Sequence, residues 1–365
     1  MDAGKSLRDH GVRVGDLEPG PTGSIADVGD VSVGHVTVVR DEPDPPDGRG
    51  TGRSGVTAVV PAPLASLNAE PMAAGMAVLN GAGELTGSLE VCEWGELATP
   101  VYLTATMSVG RVYDGAVAAA IAADPRMGVD DVVIPVVGEC DDSWLNDARV
   151  VQVEADDVSR ALAEAEAATE VVEGAVGAGT GMVCFDWKGG IGSSSRMTEE
   201  GHAVGVLVVA NFGVSPELRV DGVPVGRHLA PGDEAAGGAG RGPAGSCIAV
   251  VATDAPLGSA QLTRVARRAG LGLGRTGSVA HHGSGEIFVA FSTTTRAARD
   301  DPAPAGLPDS RLDPLFQATV EATEEAVLNA LWRAETTTGR EGRLAERLPH
   351  EPVLELLERH GRLAG

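Results

Sequence analysis

Apolar residues fall mostly into short, valine-rich runs separated by glycine- and proline-bearing polar stretches, a pattern that predicts many strands. Strands are expected over 31–39 and 56–60, with the acidic, proline-rich 41–53 between them as a surface loop, and again over 76–79, 101–106 and 132–137. Further on, 206–211, 247–252 and 285–293 read as strands, the last alternating around Ile287, Val289 and Phe291. Helices are expected where apolar residues recur every three to four positions. These are 110–123, 157–173 (Val158, Leu162, Ala165, Ala168), 259–269, 315–332 (Phe316, Val320, Val327, Leu328, Leu331) and 351–363. Residues 1–22 read as an irregular arm and 174–192 as a glycine-rich segment. The pattern supports a mixed α/β class.

Two glycine patterns suggest nucleotide sites and fail on context. Residues 177–181 lack the Lys-Ser or Lys-Thr of a phosphate loop and follow a helix, and the Gly272 to Gly277 spacing lies at a helix end, where glycine is the normal stop signal. It is read as a cap.

Composition narrows the class further. Hydrophobic residues make up 43 % of the 365, but aromatics only 3 %, so the core must be built from valine, alanine and leucine. A formal charge of -24 argues against nucleic acid and anionic membrane as partners; it favours solubility and leaves room for cationic ligands. No apolar run approaches a membrane span and the first ten residues lack a leader's apolar segment, so a soluble cytoplasmic protein is expected. Cys92, Cys140, Cys184 and Cys247 show no paired spacing and read as small core residues. No cofactor is called for. The His281-His282 pair has no third ligand in view and, on a strand, would face opposite ways, so no metal is expected.

The chemistry concentrates where a loop of prolines and glycines (231–245) breaks into an apolar strand at Gly245-Ser246. Such a loop is expected to be mobile and exposed. A serine hydroxyl there can attack the preceding carbonyl, and glycine leaves that attack unobstructed. Hydrolysis of the resulting ester would free an α-amine of pKa about 7.7–8.0, a ready general base beside its own hydroxyl. The plainer reading is an ordinary loop-to-strand junction. Asn211, at the end of a buried strand, is either a turn former or a donor to an oxyanion. Ser284 and Glu286, two apart on one strand, share a face, so hydroxyl and carboxylate can converge. Either they hold the Ser246 amine or they form a hydrogen-bonded strand edge.

The junction, together with Asn211-Phe-Gly213, Gly222-Val-Pro-Val-Gly226 and Ser284-Gly-Glu286, resembles the DmpA family of self-processing aminopeptidases, which includes the β-peptidyl aminopeptidases. The likeness extends through 25–29, Val33-Gly-His35, Gly55-Val-Thr57, 80–87, 177–182 and 188–192. The resemblance implies a layered αββα sandwich related to the N-terminal-nucleophile hydrolases. It implies cleavage into residues 1–245 and 246–365 within one domain, and αβ pairs that assemble into a tetramer. It implies Ser246 as nucleophile, Asn211 as oxyanion donor, and Ser284 and Glu286 at the same centre. The substrate would be a short peptide, amide or ester with a free amine, its first residue L, D or β. Glu139 and Asp141, in a polar cluster closing a strand, are candidate substrate-binding carboxylates; a solvated strand-end charge is the alternative for Glu139. The chain departs from the family pattern at Cys140, Asp141 and Ala105, which puts an assisting tyrosine hydroxyl in doubt. An amidase of the same fold, an acyltransferase resembling the ornithine acetyltransferases, and an uncleaved assembly protein remain as alternatives; the acyltransferases cleave before threonine, which Ser246 argues against.

Overall fold

A computed structural model describes residues 6–229, 231, 244–298, 301 and 306–363. Most of the predicted loop 231–245 therefore lies outside the described residues. Strand β1 (Ser32–Asp41) turns back into β2 (Thr51–Val60), and after the short helix α1 (Leu64–Ala69) come β3 (Met72–Gly81), α2 (Ser88–Trp94), β4 (Glu96–Leu97) and β5 (Val101–Ala105). Helix α3 (Val109–Ala123), β6 (Val136–Cys140) and α4 (Asp156–Ala167) follow, then the hairpin of β7 (Val183–Cys184) and β8 (Trp187–Lys188). The next strands are β9 (Gly190–Met197), β10 (Ala203–Asn211) and β11 (Ala244–Thr253). Helix α5 (Ser259–Arg275), β12 (Gly283–Arg296), α6 (Asp313–Arg333), β13 (Thr337–Thr338), β14 (Leu344–Ala345) and α7 (His350–Arg359) complete the order.

The strands form a four-stranded sheet, β1-β2-β5-β6, and a six-stranded sheet, β4-β3-β12-β11-β10-β9. Three apolar clusters fill the three spaces between four layers. One joins Val36, Val56, Ala58 and Val137 of the smaller sheet to Val112 and Ala116 of α3 and Val158 and Ala161 of α4. The second lies between the sheets, where Leu103 and Cys140 meet Leu207, Val209, Ile248, Val250 and Ile287. The third packs Val208, Cys247, Ala249 and Phe288 against α5 and α6. The expected αββα layering is what the valine-rich chain builds. Because β10 to β12 are covered on both sides, their runs are continuously apolar and carry little alternation.

Several boundaries move for identifiable reasons. The run 132–137 is not one strand: Val132 and Ile134 are exposed, and pairing starts only after Pro135, which has no N–H to give, so β6 takes in Glu139 and Cys140 instead. The hairpin of β1 and β2 pairs out to Asp41 and Thr51. Helix α4 stops at Ala167. Helix α5 runs through Gly270, Gly272 and Gly274 to Arg275, so only Gly277, at φ 106°, acts as the stop. Gly272 is interior because an added Cβ would come within 2.6 Å of Thr323 and 2.7 Å of the Val320 carbonyl on α6. Strand β9, Gly-Ile-Gly-Ser-Ser-Ser-Arg-Met, has no apolar pattern to announce it and was not expected.

Candidate active site

Ser246 lies near the start of β11, between Asn211 on antiparallel β10 and Gly285 on parallel β12. Paired residues share a face. Ser246, Asn211 and Gly285 therefore look into the space between the sheets, the side lined by Ile248 and Val250. Cys247 faces the helices, as its place in the strand predicts. Ser246 is 3 % exposed and its Oγ is buried, with the Cys140 thiol as its weak polar neighbour and no well-formed hydrogen bond. Buried hydroxyls are rarely left that way. Gly245 is required by packing, since an added Cβ would sit 2.0 Å from the carbonyl oxygen of Asn211.

Asn211 is held at both ends of its amide. Oδ1 accepts from the Val183 N–H at 2.9 Å, and Nδ2 donates to the Asp141 carbonyl at 2.8 Å. One amide hydrogen is left over, because a carboxamide carries two. Asp141 takes part through its main chain. Its exposed carboxylate accepts from the Ser143 N–H at 2.9 Å and so closes a local turn.

Ser284 and Glu286 behave as a pair. The Ser284 hydroxyl donates to Glu286 Oε1, while Oε2 is buried without a partner. Burial pushes the Glu286 carboxyl up from its ordinary range, with the Ser284 hydroxyl pulling the other way. Register adds what spacing alone does not contain. Ser284 and Glu286 pair with Gly245 and Cys247, so their side chains leave the sheet on the helix face, opposite the Ser246 hydroxyl. The shared point on which they converge is thus not Oγ. The Ser246 main chain runs between hydroxyl and carboxylate.

Two features escaped the sequence reading. The segment after β3 crosses from one sheet to the other, ending in the bridge Leu85 to Gly138, and passes over Gly285: a Cβ there would meet the Ala82 oxygen at 2.6 Å. Glu139 reaches this crossing. Its Oε1 accepts from the Glu84 N–H at 2.9 Å and its Oε2 from the Thr106 hydroxyl. A Cβ on Gly83 would touch both Glu139 Oε1 (3.0 Å) and Gly285 Cα (3.6 Å), which places the carboxylate beside the floor of the Ser246 site. Glu139 is buried, and burial raises its pKa against the two donors, so it is not a solvated strand-end charge. The second feature is Lys188, fully buried at the end of β8. The glycines at 81 and 83 were the available signal for the first; for the second, only the lysine itself.

Cys140 is fully buried and packs between the sheets, its thiol within 3.8 Å of the Val209 carbonyl and raised in pKa by burial. His281 lies in the loop before β12 and pairs with Glu217 at 2.9 Å. No cluster of potential metal ligands occurs among the described residues.

Residues 23–345 match the profile of peptidase family S58. The chain belongs to that family. It is 40 % identical to the β-peptidyl aminopeptidase BapA of Sphingosinicella microcystinivorans, over 99 % of this chain and 94 % of that protein. Among solved structures it resembles a protein of Pyrococcus horikoshii OT3 (41 % identity, TM-score 0.90, 98 % and 100 % of the two chains). It also resembles the L-aminopeptidase D-Ala-esterase/amidase of Ochrobactrum anthropi (35 %, TM-score 0.88, 98 % and 99 %), described as a prototype for the serine aminopeptidases and a variant of the Ntn hydrolase fold. This S58 chain is a hydrolase with aminopeptidase function and the fold of the N-terminal-nucleophile hydrolases. No helix among its described residues is long and apolar enough to cross a membrane.

Proposed function

We propose that this aminopeptidase cuts itself between Gly245 and Ser246 and then uses Ser246 as its N-terminal nucleophile. The observation that carries the reading is the buried Ser246 hydroxyl, without a well-formed hydrogen bond, set between Asn211 and Gly285 and preceded by a glycine that close packing demands. In maturation, Oγ attacks the Gly245 carbonyl carbon, the peptide C–N bond breaks as the nitrogen takes a proton, and water hydrolyses the resulting ester. Residues 1–245 end in a carboxylate and 246–365 begin with an α-amine. The two pieces stay together because β11 is paired on both sides with strands of the first piece or its own.

In turnover the amine takes the Oγ proton as Oγ attacks the carbonyl of the substrate's first residue. The spare N–H of Asn211 Nδ2 meets the oxyanion, the amine protonates the departing peptide nitrogen, and water releases the amino acid from the ester. Ser284 and Glu286, approaching from the helix face, meet the main-chain nitrogen and stabilise its protonated form. Glu139, with its fixed carboxylate beside Gly285, receives the substrate's ammonium group. Short peptides and amides with a free amine, including those beginning with a β-residue, are the substrate class. Asp141 acts at this site through its carbonyl.

Self-association belongs to the same reading. Val78, Leu79 and Leu271 are exposed, and Leu79 lies against Gly270, a small apolar surface suited to joining αβ pairs into a tetramer. A cytoplasmic setting accords with Cys92, Cys140 and Cys247 being free thiols.

Intact mass under denaturing conditions tests the reading. Wild-type protein is expected to give two fragments meeting at Gly245/Ser246, and Ser246→Ala one full-length chain without activity. An uncut, active wild type would remove the α-amine base and the mechanism with it.

A further inference from the structure

Lys188 is fully buried, and no carboxylate lies within ion-pair distance of it among the described residues. Its Nζ donates to three main-chain carbonyls, Gly179 at 3.0 Å, Met182 at 2.8 Å and Gly189 at 2.7 Å. An ammonium has three N–H bonds, and here each has one acceptor. Burying a lone charge costs several kcal/mol in general, and an apolar side chain would fill the same space. Three converging carbonyls without a cation would in turn be left unpaired.

The carbonyl of Met182 belongs to the same peptide unit as the Val183 N–H, which is the group that holds Asn211 Oδ1. A peptide unit is planar and trans, so fixing the direction of its oxygen fixes the direction of its N–H. We propose that Lys188 is a positioning residue for catalysis, aiming Asn211 through the Met182–Val183 peptide; the proposal rests on Asn211 serving as oxyanion donor.

The bond pattern selects one of the two flip states of the Asn211 amide. With Oδ1 on Val183, Nδ2 faces the Asp141 carbonyl and keeps its second hydrogen for the site. The flipped amide would set Nδ2 against the Val183 N–H and Oδ1 against the Asp141 oxygen, two repulsive contacts. A cation on the Met182 oxygen also polarises the peptide and strengthens its N–H as a donor. Burial pulls the lysine's pKa down to about 7, while the three carbonyl oxygens favour the charged form.

The local backbone is built to bring Lys188 under Val183. Between β7 and β8 the turn residues Phe185 and Asp186 both have positive φ, 50° and 64°, an arrangement that normally selects glycine or asparagine. Such strain persists only where surroundings hold it. Phe185 donates its N–H to the Phe212 carbonyl at 2.7 Å and meets the Phe212 ring edge-on at 5.2 Å, next in sequence to Asn211. The hairpin is thus pinned to the strand end it serves.

The test is a double-mutant cycle read as kcat and KM per cleaved chain. Lys188→Met is expected to lower kcat about a hundredfold, approaching the effect of removing an oxyanion donor, with KM unchanged. In the Asn211→Ala background the same substitution should cost nothing further. An equal loss in both backgrounds, or wild-type kcat in Lys188→Met, overturns the proposal. Wild-type kcat in Asn211→Ala alone overturns instead the role given to Asn211. Lys188→Gln, which retains two amide donors, replaces Lys188→Met if that variant does not fold, and should fall between it and the wild type. Failure of both to fold would make the lysine a residue of the core alone and overturn the proposal.

Discussion

Two polar clusters are buried against the six-stranded sheet, and they differ in what is left unpaired. Under α6, Arg196 of β9 is fully buried, contacts Glu325 at 2.5 Å and Glu321 at 3.4 Å, and donates to the Val14 carbonyl; Arg8 binds Glu325 through both nitrogens of its fork. At the other cluster, near the ends of β10 to β12, Asn211 is tied down but Ser246 Oγ and Glu286 Oε2 have no well-formed hydrogen bond. The first ties the amino-terminal arm to sheet and helix. The second keeps a nucleophile and a carboxylate available at the price of burying them. Matched charges mark architecture, although Arg196 Nε reaches Glu321 at ion-pair distance without a hydrogen bond, and an unpartnered hydroxyl and carboxylate inside a rigid frame mark chemistry.

The largest effect should come from breaking the paired cluster. Arg196→Met leaves Glu325 with Arg8 and Glu321 with neutral donors alone, and is expected to cost about 3 kcal/mol in urea unfolding, with kcat of the folded fraction unchanged; lost turnover at full stability would erase the distinction. Asn211→Ala should weigh the other way, lowering kcat about 10²- to 10³-fold at a smaller stability cost of about 1–2 kcal/mol for the unpaired Val183 N–H. Glu139→Gln sharpens the boundary between the two behaviours. It keeps one acceptor oxygen for the Glu84 N–H, turns an NH2 toward the Thr106 hydroxyl and removes the charge, so KM for substrates with a free amine should rise about tenfold, with kcat moved less. A larger fall in kcat than rise in KM would place Glu139 in the chemistry.

The smallest expected effect concerns a histidine that belongs to neither cluster. His350 stacks on Trp332 at 3.7 Å and bonds the Trp332 carbonyl through Nε2, and burial first, then the Arg347 charge, hold its pKa at about 4. The fold prefers the neutral ring, so its contribution is whole above the unfolded value near 6.5 and is lost as pH falls from 6.5 toward 4. Because the ring is partly exposed, about 1 kcal/mol is a fair size. The unfolding midpoint of the wild type should therefore drop more between pH 7 and pH 5 than that of His350→Gln, and turnover at saturating substrate should not follow that difference.

Much of this was readable in advance. Valine-rich runs bounded by glycine and proline located most long strands, because a strand covered on both faces has little choice of residue. Ser246, Asn211, Ser284 and Glu286 stood out because a polar residue at the edge of such a run is conspicuous. Strand β9 was illegible for the converse reason: its Ser193, Ser194, Ser195 and Arg196 are polar yet buried, made strand-like by partners that come from the arm, from β10 and from α6. Pro135 displaced β6, and helix α5 carried Gly272 where α6 presses close and Gly270 beside Leu79 of β3, while Gly274 faces open space.

By itself, then, the sequence determined the mixed α/β class, the Gly245-Ser246 junction and the residue types that gather around it, since these depend on local composition and spacing. Which face of β11 bears the hydroxyl and which the carboxylate, the placing of Glu139 beside Gly285, and the path from Lys188 to Asn211 were decided by tertiary structure. Those relations are set by strand register and by contacts between residues far apart in the chain, and no local pattern encodes them.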